Sequence, residues 1–344
     1  MKKALLLIIL ISSSSVYNLS QAGEVREYWI AAEKVVWNYA PSGKNLIRPK
    51  MGLQVWGDFL KYQKYRYIQY SDGSYTKPLK QPEWMGILGP QIRAEEGDTI
   101  KVHFYNRADK PLSMHPHGVF YTEENEGADM KNEGAMVKAG KKFTYTWEAD
   151  RDAAPGPADP SSIVWLYHSH VDSVTEIYDG LIGSIVITQK GMARSKSDPR
   201  PKDVDLAFTA MYMIFDENGR EIVGKVKKIK HDSPEAEAFE EGNLKHAING
   251  YIFGNLQGLE MTEGDRVRWH LIGMGTEVDL HTAHWHGKTV LDHGRRTDVV
   301  ELLPASMRSV DMHADNPGNW LFHCHVTDHI TAGMLSRYRI KPKK

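Results

Sequence analysis

The sequence predicts an all-β chain of two β-sandwich domains, and three observations carry that expectation. Short segments that alternate apolar and polar residues recur between clusters of Gly, Pro, Asp and Asn, as at 99–105, 143–147 and 266–270, and a period of two marks a half-buried strand. One ordered set of features occurs twice, which points to a duplicated module. The length of 344 residues, with 41% hydrophobic content, fills two cores of ordinary domain size.

From the N-terminus, Met1-Lys2-Lys3, the apolar run 4–11 and Ser20-Gln21-Ala22 form the charged, apolar and small-residue parts of a secretory signal over residues 1–22. The mature chain is expected to start at Gly23, after export by a Sec-type signal to the periplasm or the extracellular space. Serines break the run after Ile11, short of the roughly 20 apolar residues a membrane span needs. No twin-arginine pair or cysteine lies near the cleavage point, so no membrane or lipid anchor is expected.

Module 1, residues 23–190, carries Glu96-Gly97-Asp98, a strand, His115-Pro116-His117-Gly118 and then Trp165-Leu166-Tyr167-His168-Ser169-His170. Residues 191–202, polar and proline-bearing, read as the linker. Module 2, residues 203–344, repeats the order with Glu263-Gly264-Asp265, His284-Trp285-His286-Gly287 and Trp320-Leu321-Phe322-His323-Cys324-His325. Helical periodicity is weak and confined to 233–244. Lys plus Arg of 43 against Asp plus Glu of 44 leaves a net charge of -1 without a long block of one sign, which excludes a phosphate-tracking surface and hence nucleic acid as a partner.

The chain has one cysteine, Cys324, which cannot form an internal disulfide and is either buried and inert or held by a metal. Its neighbours decide. With 16 His in the chain, chance places roughly one His-x-His pair, yet there are four, at matching places in the two repeats. Residues two apart on a strand share a face, so each pair can offer two imidazoles to one site, and eight imidazoles are expected to converge where the modules meet. The same geometry turns the Cys324 thiol away from His323 and His325. His281, three residues before His284, faces away from His284 and His286 and can join the thiol, with His329 and Met334 following in the loop. Two His, one thiolate and a weak thioether make a blue-copper electron-transfer set and disfavour magnesium or calcium. Zinc is chemically open but second, because of the Met and the neighbouring eight-His cluster.

These motifs are similar to those of the two-domain multicopper oxidases and resemble the ceruloplasmin and hephaestin family in particular. The likeness covers nearly all of the mature chain, including Tyr28-Trp-Ile-Ala-Ala-Glu-Lys-Val-Val-Trp37, Gly86-Ile-Leu-Gly-Pro-Gln-Ile-Arg93, His246-Ala-Ile-Asn-Gly250 and His323-Cys-His-Val-Thr-Asp-His-Ile-Thr-Ala-Gly-Met334. It implies cupredoxin-like Greek-key sandwiches and four copper ions per functional unit. Carried over by position, His281, Cys324, His329 and Met334 resemble the ligands of type 1 copper. His115 and His284 resemble those of type 2 copper; His117, His168, His170, His286, His323 and His325 resemble those of the type 3 pair. Aligned on its His pairs, module 1 has Leu112, Ser169, Val174 and Leu181 opposite the four type 1 ligands, so the only type 1 site is expected in module 2.

The activity so implied is one-electron oxidation of a reductant coupled to reduction of dioxygen to water, with electrons carried through Cys324. In two-domain relatives, module 1 of one subunit meets module 2 of the next, which implies a homotrimer with clusters at subunit interfaces. Relatives place a proton-delivering carboxylate near Glu126 and a redox-active tyrosine near Tyr121; a solvated loop and an ordinary packing Tyr are the bland alternatives. Glu237, Glu241, His246 and Asp328 resemble the ferrous-iron site of ceruloplasmin, so Fe(II) or another low-valent metal is the favoured reductant over the phenols of a laccase-like enzyme. A copper nitrite reductase fits less well, since that family keeps its blue copper in the first module and does not need all eight cluster histidines. A non-catalytic copper-binding or electron-carrier protein accounts for the blue site but not the cluster.

Most of the remaining histidines, His103, His231, His246, His270, His293 and His313, are expected to be surface or satisfied core residues. The 14 Met are expected in the core, and no Met-rich insert is visible.

Overall fold

The computed structural model describes residues 23–224, 233–276 and 279–343. The expected export signal and His231 lie outside the described residues. None of the described helices is long and apolar enough to cross a membrane.

Two pairs of sheets account for most of the chain. In module 1 one sheet has the order Lys61–Tyr70, Val25–Asn38, Thr99–Asn106, Lys142–Glu148, and the other Ile92–Glu95, Ile182–Thr188, Ser162–His168, His115–Pro116. In module 2 the six-stranded sheet runs Leu244–Ile248, Leu206–Asp216, Arg266–Gly273, Met307–His313, Val290–Asp292, Arg295–Thr297. The five-stranded sheet runs Glu260–Thr262, Leu335–Lys341, Gly318–Cys324, His281–Trp285, Val299–Leu302. The repeat read in the sequence is a repeat of topology. Val25–Asn38 pairs in parallel with Thr99–Asn106, as Leu206–Asp216 does with Arg266–Gly273. A parallel neighbour cannot be reached through a tight hairpin, so in each module the chain crosses between sheets before returning.

The alternation of Thr99–Asn106 is complete, with Ile100, Val102, Phe104 and Asn106 buried, which places its apolar face on the module 1 core beside Tyr145, Trp147 and Tyr167. Trp269, Trp285, Phe322 and Tyr338 fill the module 2 core. A third apolar cluster joins the modules, with Trp37, Trp56 and Leu166 from one and Met211, Met213 and Phe253 from the other. Buried polar groups fix the same junction. The Lys64 ammonium meets the Glu217 carboxylate, with side chains 1% and 0% exposed, and the Tyr39 hydroxyl donates to that carboxylate as well.

Among the described residues three short α-helices interrupt the sheets: α1 (Ser173–Tyr178), α2 (Pro234–Gly242) and α3 (Thr327–Ala332). The helix expected at 233–244 is α2. It starts where Ser233 caps the Ala236 amide and Pro234 supplies a preset first turn. The expected linker is more ordered than its composition suggests: Ala193–Ser195 and Asp198–Pro201 pair as a small hairpin, tied to module 1 by the Thr188 hydroxyl donating to the Pro199 carbonyl at 2.6 Å.

Candidate metal centres

The strand Gly318–Cys324 ends between two groups of donors. On one side, His281, Cys324 and His329 place one ligand atom each within 4.8 Å of the others, and all three are buried. His281 Nε2 donates to the Met274 carbonyl at 3.0 Å, which leaves Nδ1 as a bare lone pair, buried and without a partner. The Cys324 thiol lies 3.4 Å from His329 Nδ1 and accepts from the Thr282 amide at 3.4 Å. Burial lowers His281 to about 4 and pushes the Cys324 thiol up. A neutral imidazole is ready to ligate, whereas the buried thiol needs a cation to become a thiolate. Met334, fully buried, is brought back to the group by its amide donating to the His329 carbonyl at 2.9 Å and its carbonyl accepting from the Cys324 amide at 3.0 Å. The turn needs Gly333: φ is +108° and an added Cβ would stand 2.8 Å from the Phe253 ring. An orphaned imidazole nitrogen, a thiol and a buried thioether form a soft donor set that fits copper.

Module 1 keeps the hydrogen-bond frame and lacks the ligands. The Ser169 amide donates to the Leu181 carbonyl at 3.1 Å, and the Ser113 amide to the Ser169 hydroxyl at 3.0 Å. The His170 amide donates to the Ser113 hydroxyl at 3.0 Å, as the His325 amide donates to the Thr282 hydroxyl at 3.1 Å. Leu112 and Leu181 are fully buried, Val174 is exposed, and a buried carboxyl, Glu176, stands beside Ser169.

On the other side of the strand ends lie the imidazole pairs. His115 is opposite His168 in strand register, and His284 opposite His323, so each pair starts face to face. His115, His117 and His168 form one potential metal group and His284, His286 and His323 another. His170 and His325 complete the two sets, with ring centroids 5.1 Å from His115 and 5.2 Å from His284. His168 Nδ1 donates to the Ser169 carbonyl at 2.8 Å and His323 Nδ1 to the Cys324 carbonyl at 2.7 Å, which turns each Nε2 inward. His117 and His168 then face one another with their Nε2 atoms 3.1 Å apart, and His286 and His323 at 3.0 Å. Burial lowers His117 to about 4, His168 to about 3 and His323 to about 4. Imidazole nitrogens aimed at one another fit a bound cation.

The expected convergence of eight imidazoles does not occur within one chain. His117, His168 and His170 line a cavity faced by Met213 and Met274, whereas His284 and His286 open onto a separate recess with Lys288, Thr289 and Asp298. Among the described residues no contact joins the two sets. The reason is the relative packing of the modules, which the shared apolar cluster and the Lys64–Glu217 pair fix.

The outlying site residues divide. Tyr121 lies with its ring centroid 6.0 Å from His115. Glu126 touches His115 through its backbone carbonyl, which accepts from Nδ1 at 2.7 Å. A carboxylate the sequence reading missed, Asp298, lies 3.6 Å from His284 Nε2. Its only signal is the pairing of His284 with Val299, which sets the preceding residue beside the ring. His246 stands against His329, with centroids 5.2 Å apart, and burial lowers it to about 4. Glu237 and Glu241, one turn apart on α2, and Asp328 are exposed, and they do not close with His246 into a group within 4.8 Å. Asp279, also missed, is buried; burial lowers His329, and the Asp279 carboxylate opposes that.

Profiles described as multicopper oxidase match residues 85–191 and 225–344, together about two thirds of the chain. The chain is 40% identical over 342 residues to human ferroxidase HEPHL1, covering 92% of this chain and 29% of that protein. It is 37% identical over 337 residues to human ceruloplasmin, covering 92% and 30%. The chain thus spans about three tenths of the length of the curated relatives it matches. Among solved structures, the multicopper oxidase mgLAC matches with a TM-score of 0.63 at 22% identity, over 92% of this chain and 86% of that one, a likeness of fold.

Proposed function

We propose, from the premise that the chain belongs to the multicopper oxidase family, that it couples one-electron oxidation of Fe(II) or another low-valent metal to four-electron reduction of dioxygen to water. His281, Cys324, His329 and Met334 would hold type 1 copper; His115 and His284 type 2; and His117, His168, His170, His286, His323 and His325 the type 3 pair. Bound there, copper supplies the one-electron redox chemistry and the place where dioxygen is reduced. The protein's own part is to exclude water from the thiol, to aim the imidazoles, and to wire the groups together. Export by a Sec-type signal to the periplasm or outside the cell belongs to the same reading.

The observation that carries the proposal is the end of one strand. Cys324 belongs to the buried thiol group and His323 to the imidazole group. The two are consecutive, and His323 Nδ1 donates to the Cys324 carbonyl at 2.7 Å. An electron therefore has a covalent route and a hydrogen-bonded one between the two centres. Cys324→Ser is expected to abolish both the blue absorption and oxygen uptake; survival of both sinks the assignment.

Because the two half-sets stay apart in one chain, a complementary surface from another subunit is needed. A head-to-tail contact between module 1 of one copy and module 2 of the next supplies it and can close into a ring; we assign three copies. An active, copper-loaded monomer in light scattering would rule this out. Glu126 is proposed to deliver protons and Tyr121 to exchange electrons at the cluster. Glu126→Gln should move the pH profile of oxygen uptake, and an unchanged profile removes that role.

The names of the relatives support Fe(II), as does His246 against His329. In Glu241→Ala/Asp328→Ala, oxygen uptake should fall selectively with Fe(II), and undiminished iron oxidation would overturn the site. One observation favours a second, phenol-oxidising reading. A cavity of about 420 Å³ is walled by Trp56, Phe253 and Ile330, and the Trp56 ring meets His246, which itself meets His329.

A further inference from the structure

The cavity between the modules, about 360 Å³, has an unusual donor content. One wall presents His117, His168 and His170 from module 1; the facing wall, from module 2, presents Met213 and Met274. Among the described residues no Asp, Glu, Lys or Arg lines it, and the rest of that lining is mostly apolar. Val174, at the rim, is 61% exposed, which places the mouth at the surface. Met213 and Met274 belong to the junction core with Met211, so packing accounts for their burial. Packing does not account for their position across an open space from three imidazoles.

Thioether and imidazole are the donors that select Cu(I) over hard cations such as Fe(II) or Mn(II). The unbranched Met side chain reorients readily. We infer that Met213 and Met274 form a transient Cu(I)-binding site through which module 1's imidazole set is loaded. The inference rests on the copper-cluster reading and goes beyond it: these methionines ligate during assembly and not during turnover. The step is ligand exchange. Cu(I) enters on thioether sulfur, passes to the inward-facing Nε2 atoms of His117 and His168, and changes neither oxidation state nor proton count, because a thioether has no proton to release. The site lies wholly within one chain, so loading can precede the meeting of subunits.

The test uses copper-depleted full-length protein under anaerobic conditions with Cu(I) itself as the probe, in a Cys324→Ser background that removes the blue-site thiolate. At one equivalent of Cu(I), X-ray absorption should show sulfur neighbours that disappear in Met213→Leu/Met274→Leu, a change of similar volume. With Cys324 intact, the double variant should take up copper at least tenfold more slowly and still reach wild-type copper content, blue absorption and melting temperature. An unchanged sulfur signal together with wild-type uptake overturns the inference. A wild-type chain that loads through sulfur yet consumes no oxygen would refute the oxidase reading and leave this one standing; normal oxygen uptake with methionine-independent loading does the reverse.

Discussion

Replacing Lys64 by Met isolates the ionic part of the module junction. Lys64 lies on the module 1 strand Lys61–Tyr70 and Glu217 just past the module 2 strand Leu206–Asp216, and neither side chain reaches water. Glu217 Oε1 receives Lys64 and Tyr39, while Oε2 has no partner. Lys64 in turn donates to the Tyr39 hydroxyl at 2.9 Å and lies 4.9 Å from the Phe215 ring centroid. Burial lowers the lysine and Glu217 opposes that, the signature of a charge retained only by its partner. Removing one partner of such a pair costs roughly 3–5 kcal/mol, while replacing both by apolar groups is often close to neutral. At about 2 °C per kcal/mol for a chain of this size, Lys64→Met should melt roughly 6–10 °C below wild type. Lys64→Met/Glu217→Leu should recover most of that loss. Calorimetry on all members of the double-mutant cycle reads the coupling. Blue absorption below the melt should be unchanged, because the proposed ligands 281–334 all lie in module 2. A single variant melting within about 2 °C of wild type, or strictly additive effects, would refute the claim that this pair holds the modules in place.

Met334→Leu should keep the fold, at a cost under roughly 1.5 kcal/mol, and raise the reduction potential of the blue centre by removing its weak axial donor; redox titration reads it, and an unmoved potential argues that Met334 is not a ligand. Gly333→Ala forces a left-handed backbone on alanine and a Cβ into Phe253, so a loss of about 1–3 kcal/mol and of blue-site copper is expected by urea unfolding and metal analysis. Glu176 is raised by burial, with Asp172 adding to the rise and Ser169 and Lys110 opposing it. The folded chain therefore keeps this proton to higher pH than the unfolded one, and stability falls as pH rises from the unfolded carboxyl value toward the folded one. Glu176→Gln should flatten that fall and gain about 1 kcal/mol at pH 7 in urea titrations at pH 4.5 and 7; an equal loss at both pH values refutes it.

Much of the centre was legible because its chemistry sits in short motifs whose geometry strands fix. The pairing of His281 with Cys324 and the outward turn of His323 follow from a period of two and a three-residue step, and the structure reproduces both. The alignment of the two modules was equally legible, since Ser169 and Leu181 hold the same backbone relation as Cys324 and Met334. What the sequence left open was long-range. Where the two imidazole sets lie within one chain depends on how two modules pack, and no local pattern encodes Lys64 meeting Glu217 across 153 positions. Asp298 and Asp279 escaped for the same reason: their nearness to His284 and His329 comes from strand pairing and a loop, not from a motif. The methionines were read as core, which Met213 and Met274 are, but composition cannot show which core residues border a cavity.

The two modules share one backbone frame around different inward side chains. In both, a residue flanked by two imidazoles turns its side chain inward: Cys324 in module 2 and Ser169 in module 1, each with its carbonyl taken by the preceding histidine. The frame that aims the imidazoles is therefore independent of the inward side chain. Module 1 can exchange thiol for hydroxyl and fill the space with Leu112, Leu181 and Glu176 while His115, His117, His168 and His170 keep their places. α1 occupies in module 1 the place that α3 has in module 2. Val174 and Ile177 of α1 instead border the cavity that opens on His117, His168 and His170. The metal-poor donor content of that inward pocket and the cavity that opens on the imidazole set thus lie side by side in module 1.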